Sequence, residues 1–246
     1  MLKRSIPLCL ALSLIVIGCS DNSQSGPETR QYTKAQAVET APTSVSGNQI
    51  QTEPNPHTAL SAEQQISVAM QHAENGRMEQ ALDVLTRAII TTPDDADLIG
   101  TRGSLLLTQD RVFDALVDLE KAVTLAPENA LLLVNRSQAY RKFNRYQEAM
   151  ADLDMAITLS PKLVPAHFNR GTLLYADARY KEALADFDVC IEAAPGNAGP
   201  YFNRAITRDA LDDQAGATID MNKFIELADN PEWIKVAQEA MAAWAK

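Results

Sequence analysis

Four prolines, Pro93, Pro127, Pro161 and Pro195, stand at one constant interval, and the residues between them repeat in step. A long, exact period means one small unit stacked several times, each burying its apolar face against the next. The units run over 62–95, 96–129, 130–163, 164–197 and, less regularly, 198–231, and each holds two helical patterns joined by a short turn. In the second half of each unit, twelve places before the proline, stand Ala81, Ala115, Ala149 and Ala183, with Ala217 in the fifth. Five places before it come Ala88, Ala122, Ala156 and Cys190. In the first half the small residue is Ala69, Gly103, Ser137, Gly171 or Ala205. Small side chains let two helices approach closely, and the proline ends the second of them. The expected fold is all-α, an array whose concave surface suits the holding of another polypeptide.

These positions resemble the tetratricopeptide repeat. The third unit carries the resemblance plainly, with NRSQAY at 135–140, YQEA at 146–149 and ADLDMAITLSP ending at Pro161. The fifth departs from it: Phe224 replaces the small residue and Pro231 comes two places late, which marks the last unit. Residues 232–246 then supply a capping helix, with Trp233, Ala237, Met241 and Trp244 along one apolar stripe. The array is assigned to 61–231.

Units two to five also carry Arg102, Arg136, Arg170 and Arg204, each followed at the same fixed interval by an aspartate: Asp118, Asp152, Asp186 and Asp220. Unit one has Val68 and Val84 at the two places. Joint loss of both charges implies that each pair meets within one unit, where it fixes helix register. Cys190 sits where alanine sits elsewhere and reads as a buried thiol of no special reactivity.

In the family that this chain resembles, the first helix of each repeat lines the concave face. That points to Asn135, Asn169 and Asn203 as a ladder of amides able to hydrogen-bond the backbone of an extended peptide, similar to the asparagine-lined repeats of the O-GlcNAc transferases. It also points to Val134, Phe168 and Phe202, with Tyr175, as an apolar stripe of anchors beside the ladder. The carboxylate clamp known in the family needs cations at places held here by Gly100, Ser104, Pro165 and Asn169, which argues against that mode.

The N-terminus begins MLKRSIPLCLALSLIVIGC, with Lys3 and Arg4 ahead of an apolar run too short to span a bilayer. Residues 1–18 read as a signal peptide, and Val16-Ile17-Gly18-Cys19 resembles the lipobox of bacterial lipoproteins. That resemblance implies a mature chain starting at an acylated Cys19 and anchored in the cell envelope. Ser20 implies sorting to the outer membrane, facing the periplasm. Residues 19–60, rich in Ser, Thr, Gln, Asn and Pro, read as a disordered tether with a root-mean-square span of about 35 Å.

Loss of residues 1–18 leaves 20 basic against 32 acidic side chains, a net of −12, which disfavours nucleic acid and anionic lipid surfaces as partners. With Cys9 discarded and Cys19 modified, one cysteine remains and no disulfide framework is available. His57, His72 and His167 have no metal-ligand spacing, and no phosphate loop, serine elbow or cofactor motif is present. The expectation is a non-enzymatic, lipid-anchored scaffold that recruits extended segments of envelope proteins, with a pilotin-like assembly factor as the alternative and a hydrolase as the remote one.

Overall fold

The proline period is also a capping period. Two residues after each proline comes Asp95, Asn129, Leu163 or Asn197, the N-cap of the next first helix. Asp95, Asn129 and Asn197 accept hydrogen bonds from the first backbone N–H groups, which otherwise lack partners. Leu163 has no such side chain, and proline in the first turn of its helix removes a donor instead. At the start of the array Ser61 and Gln64 form a reciprocal capping box.

A computed structural model describes residues 60–244, which form eleven helices. The first helices of the repeats are α1 (Ala62–Glu74), α3 (Ala96–Thr108), α5 (Ala130–Lys142), α7 (Val164–Ala176) and α9 (Ala198–Ala210). The second helices are α2 (Met78–Thr91), α4 (Val112–Leu125), α6 (Tyr146–Leu159), α8 (Tyr180–Ala193) and α10 (Gln214–Leu227). A final helix, α11, covers Pro231–Trp244, so Pro231 opens the capping helix rather than ending the repeat before it. The leader, Cys19 and the linker through residue 59 fall outside the described residues.

Each first helix packs antiparallel on the second helix of its own repeat at the small residues. A Cβ on Gly103 would lie 2.8 Å from Leu119 Cγ, and one on Gly171 2.8 Å from Phe187 Cε1. Successive first helices pack on one another along the array, whereas successive second helices are held farther apart. The array therefore bends with α1, α3, α5, α7 and α9 on its inner side. The core runs as a chain of apolar clusters from Ala69 and Leu85 through Leu119, Leu153 and Phe187 to Met221 and Phe224. At the end of this line Trp233, Val236, Met241 and Trp244 of α11 cover Phe202, Ile206 and Phe224, as an exposed array end requires.

The turn inside each repeat needs a left-handed residue, filled by Gly76, Asp110, Asn144, Ala178 and Asp212. Asn and Asp tolerate this conformation, whereas alanine brings a Cβ clash with no compensating hydrogen bond. Ala178, at φ 58°, is the strained member of the series. Ala178→Gly is therefore expected to stabilise the fold by about 0.5–1 kcal/mol, after allowance for glycine's greater freedom when unfolded. Chemical denaturation midpoints measure it, and a loss of stability would contradict the strain.

Candidate functional site

The inner face of the middle repeats is polar. Thr101 and Ser104 of α3, Asn135 and Gln138 of α5 and Asn169 of α7 are half-buried along it, and Leu131 is exposed. Among the described residues, the amides of Asn135, Gln138 and Asn169 make no internal hydrogen bond, so their donors and acceptors are open to a ligand.

Asn203 does not continue this ladder. It is 2 % exposed, and its Nδ2 donates to Gly199 O (3.0 Å) one turn back in α9. The stretch of α9 that carries it is the one that α11 packs against, and the open amides shrink to the middle of the array.

Val134, Phe168 and Phe202 are not groove anchors either. All three are buried: Val134 packs among Ile99, Ala166 and Leu173, Phe168 meets Phe187 edge-on (6.0 Å), and Phe202 meets both Phe224 (5.0 Å) and Trp233 (6.0 Å). The reason is geometric. An inner helix is packed on both sides, so the apolar stripe next to its polar face is the seam with the following repeat. Tyr175 lies at such a seam, half-buried against Tyr180 (5.5 Å); burial, then the neighbouring Tyr180 and Asp209, pushes its hydroxyl up to about 12.

Arg102, Arg136, Arg170 and Arg204 each grip their aspartate through Nε and Nη2, at 2.6–2.8 Å in all four repeats that carry the pair. These charge-assisted hydrogen bonds hold each guanidinium above its ordinary range, against the opposing effect of burial. The third nitrogen reaches the preceding repeat, to Thr86 (3.3 Å) from Arg102, Asp154 (2.9 Å) from Arg170 and Asp188 (2.6 Å) from Arg204. Arg136 has no such bond, because Glu120 at its matching place is engaged by Tyr140 (3.4 Å) and Arg145 (3.7 Å). The ladder thus joins repeats as well as helices, most tightly toward the C-terminal end. With their carboxylates already in place, these arginines are not available to a ligand.

The tetratricopeptide-repeat family model matches residues 101–163, which span the second and third repeats. The fold is that of a tetratricopeptide-repeat array. Solved structures share this fold over two thirds to three quarters of the chain. A thermophilic tetratricopeptide-repeat protein of Thermus thermophilus superposes with a TM-score of 0.60 at 18 % identity, covering 75 % of this chain and 99 % of that one. MamA from Desulfovibrio magneticus RS-1, from its residue 41 to the end, gives 0.58 at 17 %, covering 68 % and 94 %. YrrB, described as having an unusual peptide-binding site, gives 0.56 at 22 %, covering 73 % and 91 %. At these identities the likeness is one of fold. No curated protein matches the chain in sequence.

Two features of this tetratricopeptide-repeat array escaped the sequence reading. His167 is buried, with Nδ1 2.8 Å from Asp186 Oδ1 and Nε2 3.0 Å from Pro161 O, so it ties α7 to α8 and to the turn before α7. Asp186 in turn receives Arg170, and Asp220 receives both Arg204 and Arg208 (2.8 Å). A pairing rule built on one fixed spacing finds one partner and misses the second. Cys190 is buried, its Sγ directed at Val164 O (3.5 Å). A cleft of 380 Å³ between α2 and α4 is lined by Leu82, Leu106, Phe113 and Val117 with the already paired Arg102 and Asp118. Among the described residues no His, Cys, Asp and Glu cluster is arranged to hold a metal, and no helix is long and apolar enough to cross a membrane.

Proposed function

We propose that the chain is a non-enzymatic scaffold that binds an extended segment of a protein partner along its inner face and is held in the bacterial cell envelope by a lipid on Cys19. The observation that carries the binding half is the set of open amides at Asn135, Gln138 and Asn169, in a fold whose other buried polar groups are nearly all paired internally. Amides of this kind take a peptide backbone without reading its sequence, and the bend of the array sets them along one curved track. YrrB, a fold relative described as having a peptide-binding site, supports the same use. The anchoring half rests on the leader and the lipobox-like Val16-Ile17-Gly18-Cys19. Residues 20–60, between Cys19 and the array, would separate it from an outer-membrane anchor and put envelope proteins in the periplasm within its reach.

Each half has its own test. Cys19→Ser should move the protein from the membrane to the soluble fraction with its helical signal unchanged, and persistence in washed membranes would refute the anchor. Changing Asn135 and Asn169 together to alanine should weaken binding of peptides selected on the wild-type chain by about 2 kcal/mol, roughly thirtyfold, with the thermal transition intact. Unchanged affinity would place the partner elsewhere.

A further inference from the structure

Among the described residues, arginine is almost always accounted for. Every other half-buried arginine, at 102, 136, 170, 204 and 208, holds a carboxylate. The exposed Arg87, Arg111, Arg145 and Arg179 each pair with an acid three or four residues away, and Arg77 is exposed to water. Arg141, near the end of α5, is half-buried and has neither ion pair nor side-chain hydrogen bond. Its counterparts in the second, fourth and fifth repeats are Leu107, Tyr175 and Asp209, so nothing in the repeat pattern calls for a cation there.

Its place is set by helix geometry. Arg141 follows Val134 by two turns on the same face of α5, and Val134 belongs to the apolar cluster that takes in Ala166 and Leu173 of α7. Arg141 therefore stands at the seam between α5 and α7. Gln138, one turn back, is half-buried on the inner face, which also carries Asn135 and Asn169.

We infer that Arg141 is a recognition site for a carboxylate carried by the polypeptide bound along the Asn135–Asn169 face, with Gln138 as a neighbouring donor. The inference rests on the inner face being the binding surface. It adds a specific demand: the partner presents one acidic group at a fixed place in an otherwise backbone-read segment. A guanidinium offers a planar fork of donors matched to a carboxylate, and half-burial strengthens that match by displacing competing water. Burial pushes the Arg141 guanidinium below its ordinary range; Tyr146 opposes that shift in part, and no carboxylate of the chain does. A ligand carboxylate would offset it. The chain as a whole carries a net charge of −10, so the site selects by local geometry and gives no long-range attraction to acidic partners.

The test uses the full-length chain and a random dodecapeptide library displayed in two formats, one ending in a free carboxylate and one with both ends blocked. Selection on wild type should enrich peptides with Asp or Glu at one fixed place in the blocked format if the acid is a side chain. If it is the chain end, binders should appear in the free-end format alone. In either case the selected peptides should lose at least tenfold affinity when Arg141→Gln is introduced. They should lose a similar factor when their own carboxylate is replaced by amide, and the two losses should not add. The peptide-side change leaves the protein untouched, so an effect of Arg141→Gln on folding cannot imitate the result. Arg141→Lys, which keeps charge without the fork, should recover only part. Enrichment of neutral peptides, or acid-bearing peptides that bind Arg141→Gln as well as wild type, would overturn the inference while leaving the inner face as the binding surface. Failure to enrich any peptide whose binding depends on Asn135 and Asn169 would overturn both.

Discussion

Replacing Asp220 with alanine costs about 3–5 kcal/mol of folding free energy, the cost of breaking a buried ion pair by removing one partner. Asp220 is 1 % exposed and neutralises two cations, Arg204 through both oxygens and Arg208 through one. Loss of the carboxylate takes from both guanidinium groups their most buried partner. Arg208 keeps Asp213 at 3.8 Å, and Arg204 keeps Asp188 at 2.6 Å, so neither is left without any acid. Asp118, which has one cation and is less buried, should cost less when replaced. Changing Arg204 and Asp220 together to apolar residues should recover much of the loss, with a coupling of about 0.5–3 kcal/mol in a double-mutant cycle. Strictly additive losses in urea denaturation would show that the ladder does not join the two helices energetically.

Phe202→Ala is expected to cost about 3–5 kcal/mol, as for other fully buried aromatics, and to loosen α11. The ring packs edge-on to Phe224 and Trp233, so it is one of the contacts through which the capping helix closes the array. Edge-on aromatic pairs add roughly 0.5–1.5 kcal/mol beyond the area they bury. The signature is a lowered unfolding midpoint with a red shift of tryptophan emission, as Trp233 and Trp244 become wet before the rest of the fold is lost. A variant of wild-type stability with altered peptide preference would return Phe202 to the groove.

The contrast between Phe202 and Asn135 shows where sequence reading of such an array succeeds. The proline period and the small residues determine helix ends and helix pairing, because each acts within one or two turns. The constant arginine–aspartate spacing is legible for the same reason: both partners sit in one repeat and recur together. Contacts between repeats are not. Arg204 to Asp188 and Arg170 to Asp154 depend on how neighbouring repeats are rotated, which the period alone does not specify. The same rotation decides which face of an inner helix is groove and which is seam. Asn135 and Asn169 fall on the groove, Phe168 and Phe202 on the seam, and Asn203 under the end cap, although all five hold equivalent or adjacent places in their repeats. Arg141 is illegible to a reading by period because it breaks the pattern, and its lack of an acid is visible only once the other half-buried arginines have been paired.

The claim that the inner face is the binding surface is tested most directly by photo-crosslinking in cells from two places on the full chain. One photoreactive residue replaces Gln138 on the inner face, and the other replaces Phe113, exposed on the outer side. The account predicts discrete protein crosslinks from position 138 that disappear when Asn135 and Asn169 are changed to alanine, with position 113 giving none that respond to those changes. Crosslinks from 113 to the same partner, or crosslinks from 138 that survive the two changes, would contradict it.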